Sequence, residues 1–263
     1  ENRNRHLPKL EPARTGEKYQ QSFNEAVDYF MEFLEREEIM TIPDYMQDVL
    51  VRRRRRFIPS DQLRDFFIQV DYRDPLPLRC HGTHWFDLAR MDHEPHPSPI
   101  RRVPLLYNIW DSRAEGLATG MEEMMMHAGL LDERPRAREL IHIMLACRAA
   151  RAMGDLKMHS NEFTLEEAVK FAVEWTPYGW LPEDGNTVWI DEQIYLQQPG
   201  YGTSYVVCKV HVEKLIADYA QLLGEKFTIK GFMDKFHAAG MIPLSLIRWE
   251  MTGLEDEIKR LLK

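Results

Sequence analysis

Residues 107–128, YNIWDSRAEGLATGMEEMMMHA, and residues 136–153, RARELIHIMLACRAARAM, decide the fold. Both read as long helices, with Gly129 and Gly154 as their stops. Downstream, Thr164-Leu165-Glu166-Glu167 is a capping box, a Thr followed three residues later by a Glu. It precedes the apolar positions Ala168, Val169, Phe171 and Ala172. Residues 176–202 read as a loop-rich excursion. Further helices are expected at 205–223 (ended by Gly224), 228–239, 244–252 and 254–262. Upstream, Phe23, Val27, Phe30 and Leu34 recur at helical spacing and predict a helix over 18–38. It is ended by Thr41-Ile42-Pro43, since a residue before proline is pushed out of the helical region.

A helix over 45–56 would end in five consecutive arginines, 52–56. Their plainest role is a solvated helix end whose cations offset the C-terminal dipole, with a local anion contact as the alternative. Phe66 to Tyr72 has the aromatic and β-branched character of a strand. Prolines make 57–104 an irregular Pro/His-rich region, and 1–17 an extended lead-in. The expectation is a mostly α protein with few short strands, one helical domain over 1–263.

Lys and Arg number 34 against 42 Asp and Glu, a net charge of −8. That balance argues against nucleic acid, because phosphate binding needs clustered cations. No apolar run is long enough for a membrane-spanning helix. Cys80, Cys147 and Cys208 have no CxxC spacing, which excludes a cysteine zinc site and suits a reducing, cytoplasmic setting. The chain opens ENRNRHLPKL, without Met or a targeting pattern, and reads as processed or as a fragment.

The sharpest chemical feature is Asp92-His93-Glu94-Pro95-His96-Pro97. It is not the HExxH zinc motif, but His93 and His96 could meet one metal from an irregular backbone. Glu115 lies among small and apolar residues of a helix and needs a partner: an arginine, or a metal shared with the histidine loop. Arg148, Arg151 and Asp155 share one helix face, with His159 following. Pro199-Gly200-Tyr201-Gly202-Thr203-Ser204-Tyr205 could hold an anion at its free N–H groups, and a Tyr there could donate a proton to an oxyanion.

Taken in order, these stretches resemble the bacterial domain of unknown function 885 family, helical relatives of the gluzincin metallopeptidases. Glu115-Gly116-Leu117-Ala118 looks like the family's Glu-Gly-Trp-Ala segment. Arg148-Ala149-Ala150-Arg151 with Asp155 and His159 is similar to its Arg-Ala-Ala-Arg … Asp-x-Gly-x-His segment, with Lys157 at the glycine. Pro199-Gly200 with Ser204-Tyr205, Leu223 to Phe227, and Gly240 to Leu244 match further signatures. The family is about twice this long, so the chain looks like its C-terminal half, with the N-terminal half missing or on a partner chain. The family's His-Glu-x-x-Pro-Gly-His reads here from His93 to Pro99, with proline at the second histidine.

The resemblance implies a multi-helix, gluzincin-related fold and a zinc-dependent, peptidase-like hydrolase with an altered metal site. His93 and Glu115 would hold the zinc, with His96 standing in for the lost histidine. Glu94 would be the general base, and Tyr205 and His159 would stabilise the oxyanion. Arg151 and Arg148 would hold a peptide or small carboxylate-bearing substrate. The alternative is a metal-free pseudoenzyme or binding protein that keeps the cleft.

Overall fold

The computed structural model describes residues 6–59, 65–176 and 179–262. The first five residues of the expected lead-in, residues 60–64 of the Pro/His-rich region and residues 177–178 of the later excursion lie outside it. Fifteen α-helices run in order among the described residues. The first six are α1 (Gly16–Arg36), α2 (Met46–Arg52), α3 (Phe66–Arg73), α4 (Leu76–His81), α5 (His84–His93) and α6 (Pro99–Arg102). Next come α7 (Tyr107–His127), α8 (Pro135–His159), α9 (Leu165–Trp175), α10 (Asn186–Gln197) and α11 (Tyr201–Thr203). A π-helical turn (Ser204–Cys208) leads into α12 (Lys209–Leu223). The chain closes with α13 (Ile229–Ala238), α14 (Leu244–Thr252) and α15 (Asp256–Leu261). No strand occurs among the described residues.

The long helices form where expected. Thr15 caps α1 by accepting from the Lys18 N–H, and Phe23, Val27, Phe30 and Leu34 are buried along its inner face. Thr164 and Glu167 make the reciprocal capping box of α9. The main core joins α1 to α4, α7 and α12–α14, with α9 and α10 packed on α8.

Five expectations need correction. The helix expected over 45–56 runs only from Met46 to Arg52, and the excursion over 176–202 holds helix α10. The Phe66–Tyr72 run is helix α3, because Asp65 caps it by accepting from the Ile68 N–H at 2.9 Å. An aromatic run fits either period, and the cap decides. Residues 57–104 hold four helices rather than an irregular loop. Pro77 and Pro99 sit in first turns, where a missing N–H is harmless. Gly154 is no stop: α8 runs on to His159. A Cβ there would fall 2.5 Å from a Glu192 carboxylate oxygen, so this glycine admits α10 against α8.

Candidate metal centre

The site is built where α4 meets α5. His81 is the last residue of α4 and His84 the first of α5. The Gly82-Thr83 link stays helically coiled, with the Trp85 N–H donating to Gly82 O at 3.0 Å. The two imidazoles therefore emerge on one side, ring centroids 5.0 Å apart. Opposite them α7 presents Glu115, and one ligand atom from each of His81, His84 and Glu115 lies within 4.8 Å of the others. Two atoms of this group, His84 Nδ1 and Glu115 Oε2, are buried without a hydrogen-bond partner in the protein. Glu115 Oε2 lies 3.1 Å from His81 Nε2 without the direction of a hydrogen bond.

A second carboxylate completes the arrangement. Glu122 lies seven residues after Glu115 on the same face of α7, its Oε1 3.1 Å from His81 Nδ1. Arg148 holds Glu122 through both guanidinium nitrogens, at 2.5 and 2.8 Å. A carboxylate on one ring nitrogen orients a histidine and leaves the other nitrogen as a ligand. The Tyr201 hydroxyl donates to Glu115 Oε1 at 2.9 Å.

Charge is tuned throughout. Burial and Arg148 push the His81 imidazole down, but Glu115 and Glu122 outweigh them and hold its pKa above the usual value. Burial dominates at His84 and lowers it to about 4, so that ring is neutral at pH 7. Burial alone would raise the Glu115 carboxyl. The His84 and His81 imidazoles beside it and the Tyr201 hydroxyl bring it to about 2 instead. Asp111, one helical turn before Glu115, is pushed up to about 7 by burial and by the Glu115 charge.

Close packing sets these positions. A Cβ on Gly116 would lie 2.6 Å from Cys208 Cβ and 2.7 Å from its backbone carbon. The glycine beside Glu115 therefore lets α7 touch the π-helical turn that carries Tyr205. The Gly200 turn, with φ of +87°, is clamped from α8. Asp155 accepts from the Gly200 and Thr203 N–H groups at 3.1 and 2.8 Å. The N–H groups read as an anion site thus hold an internal carboxylate.

The group opens on a cavity of about 410 Å³ that Tyr201, Tyr205, Trp110, Arg148 and Arg151 also line. Of the ligands expected from sequence, only Glu115 is here. His93 closes α5, about 13 Å along the helix from His84 at 1.5 Å per residue. It stacks on Tyr45, ring centroids 4.2 Å apart. Glu94 accepts from the Tyr45 hydroxyl at 2.8 Å and pairs with Arg90 at 3.1 Å, outside the lining of this cavity. His96 takes the Ser98 N–H on Nδ1 and lines a separate cavity beside Arg101 and His237. His159 is tied to the Tyr195 carbonyl at 2.9 Å, behind the Asp155 clamp and outside the cavity lining. Tyr205 stacks 6.0 Å from His81. Arg148 and Arg151 reach the cavity, but Glu122 and Asp191 already engage them.

Sequence reasoning missed His81, His84, Glu122, Asp111 and Tyr201. Two signals were available: histidines three apart in Cys80-His81-Gly82-Thr83-His84, and two acids seven apart on one apolar helix face.

The profile of the bacterial protein family of unknown function DUF885 matches residues 84–251. The chain belongs to the DUF885 family. The match begins at His84 and covers Glu115, Glu122 and both tyrosines. No curated protein matches the chain. Its fold is similar to the crystal structure of "the putative lipoprotein from Colwellia psychrerythraea", with a TM-score of 0.69 at 17% identity. That superposition covers 96% of this chain and 46% of the other, so the chain spans about half of that protein's length. Among the described residues no helix is long and apolar enough to cross a membrane.

Proposed function

We propose that this DUF885 chain is a metal-dependent, peptidase-like hydrolase whose cation is held by His81, His84 and Glu115. The carrying observation is convergence: one ligand atom from each of His81, His84 and Glu115 lies within 4.8 Å of the others beside an open cavity. A bound ion would take up the coordinating capacity that the buried Glu115 carboxylate and the two imidazoles bring together. Two histidines and a carboxylate form a known catalytic zinc set, which makes zinc the favoured ion.

A zinc ion held by His81, His84 and Glu115 would supply Lewis acidity, able to polarise a carbonyl and lower the pKa of water. Glu122 fixes the His81 ring, and Arg148 neutralises Glu122. Tyr201 and Tyr205 face the cavity, where a hydroxyl can donate to a developing oxyanion. This reading keeps the reaction class that the sequence resemblance implies while moving two ligands from 93 and 96 to 81 and 84.

A metal-free binding protein is the second reading. It is favoured by the carboxylates lying within 3.1 Å of both His81 nitrogens, because protonated His81 and Arg148 then balance Glu115 and Glu122. Metal analysis of protein purified without chelator separates the two. About one zinc per chain, absent from His81→Ala, is expected. No zinc after reconstitution sinks the hydrolase and leaves the balanced charge cluster.

A further inference from the structure

The chain as a whole carries −8, yet the cavity beside the candidate metal centre has the opposite sign. Five arginines line it against three carboxylates, Asp71, Glu115 and Asp191. Three of those arginines are internally neutralised: Arg79 by Asp71 at 2.5 Å, Arg148 by Glu122, and Arg151 by Asp191. Arg53 and Arg55 are exposed at the mouth. Neither has a carboxylate within ion-pair distance among the described residues, and the Arg55 charge also bears on Arg79. The five-arginine run, read as a helix end, continues past the last helical residue Arg52, and Arg53 and Arg55 line this cavity.

Arg53 is also held in place. It is the C-cap of α2, and its guanidinium lies 3.8 Å over the Trp85 ring. The Trp85 ring centroid is in turn 4.2 Å from that of His84. The path from His84 through Trp85 to Arg53 spans about two extended residues at ~3.5 Å each. An anion on Arg53 would sit one or two residues from a carbonyl at the metal group. A guanidinium fork matches a carboxylate bidentately, and the cavity suits a small ligand.

We propose that Arg53 and Arg55 form a recognition site for a substrate carboxylate, so that the cavity takes short peptides by their free C-terminus. Cleavage of that bound peptide rests on the hydrolase reading above; the binding does not. An unpaired cationic mouth on an acidic protein also draws anionic ligands toward the one face that will hold them.

Calorimetric titration at low salt tests this with three probes: N-benzoyl-glycyl-phenylalanine, its C-terminal amide, and N-benzoyl-glycyl-glutamic acid α-amide. The intact protein is expected to bind the free acid at least tenfold more tightly than either amide. The variant Arg53→Gln/Arg55→Gln is expected to lose that preference, and Arg53→Lys/Arg55→Lys to keep part of it. Equal binding of acid and amide overturns the proposal, as does a preference that survives in the Gln variant or no binding of any probe. Binding of the glutamate amide as tightly as the free acid overturns the terminal-carboxylate assignment in favour of an acidic side chain. Zinc content measured on the same samples keeps the two readings apart. A zinc-free protein that keeps the preference refutes the hydrolase alone. A zinc-loaded protein without it refutes the carboxylate site alone.

Discussion

Two histidine pairs stand at opposite ends of α5, and they differ in every property that makes a ligand. His93 and His96 look the more chemical in sequence, with a glutamate between them. In the structure His93 stacks on Tyr45, Glu94 pairs with Arg90, and His96 accepts a backbone N–H. All three are accounted for by their neighbours. His81 and His84 have no glutamate between them, yet they face Glu115 and Glu122 from a buried wall and leave two polar atoms unpartnered. Ligand competence comes from convergence and desolvation, which neighbouring letters do not encode.

The sharpest break of this contrast is metal uptake. His84→Ala is expected to lower zinc affinity at least 100-fold, measured by competition with a chromophoric chelator, while His93→Ala changes it less than threefold. Dependence on His93 instead would reverse the comparison.

The buried end also depends on tight packing. Gly116→Ala pushes a Cβ into Cys208 and its backbone, so α7 and the π-helical turn must part. Overpacking of this kind costs about 1–3 kcal/mol, and the same shift should weaken zinc binding. Denaturant unfolding with an unchanged midpoint would show that this contact is slack.

Burial carries a further cost that the exposed end escapes. Glu192 is buried beside Gly154 with neither oxygen bonded, and desolvation raises its pKa to about 8. The folded state therefore holds a proton that the unfolded state releases near pH 4.5. Stability falls as pH rises from about 4.5 to 8. Glu192→Gln removes that dependence, with a gain of about 3 kcal/mol at pH 7 that fades near pH 4. Thermal scans across this range check it; a gain independent of pH would mean packing, not charge, is at issue.

Much of the scaffold was legible in the sequence. Apolar spacing located α1, and a Thr/Glu pair located the start of α9, because caps and helical periodicity are local physics. Glu115 stood out because a carboxylate among small apolar residues must find a partner. The prolines of 57–104 misled: they start helices as readily as they break them, and only the surrounding hydrogen bonds tell which. Gly154 misled for a similar reason, since a glycine that ends a helix and one that admits a neighbouring helix look alike in one dimension.

The sequence by itself determined a helical, acidic chain with a glutamate among apolar residues of α7 that needs a partner. Tertiary structure alone decided which histidines meet that glutamate. Residues 81, 84, 115 and 122 lie on three helices, and their side chains converge only when α4, α5 and α7 pack. Period and propensity act within about four residues, whereas a metal site is set by the few ångströms between elements.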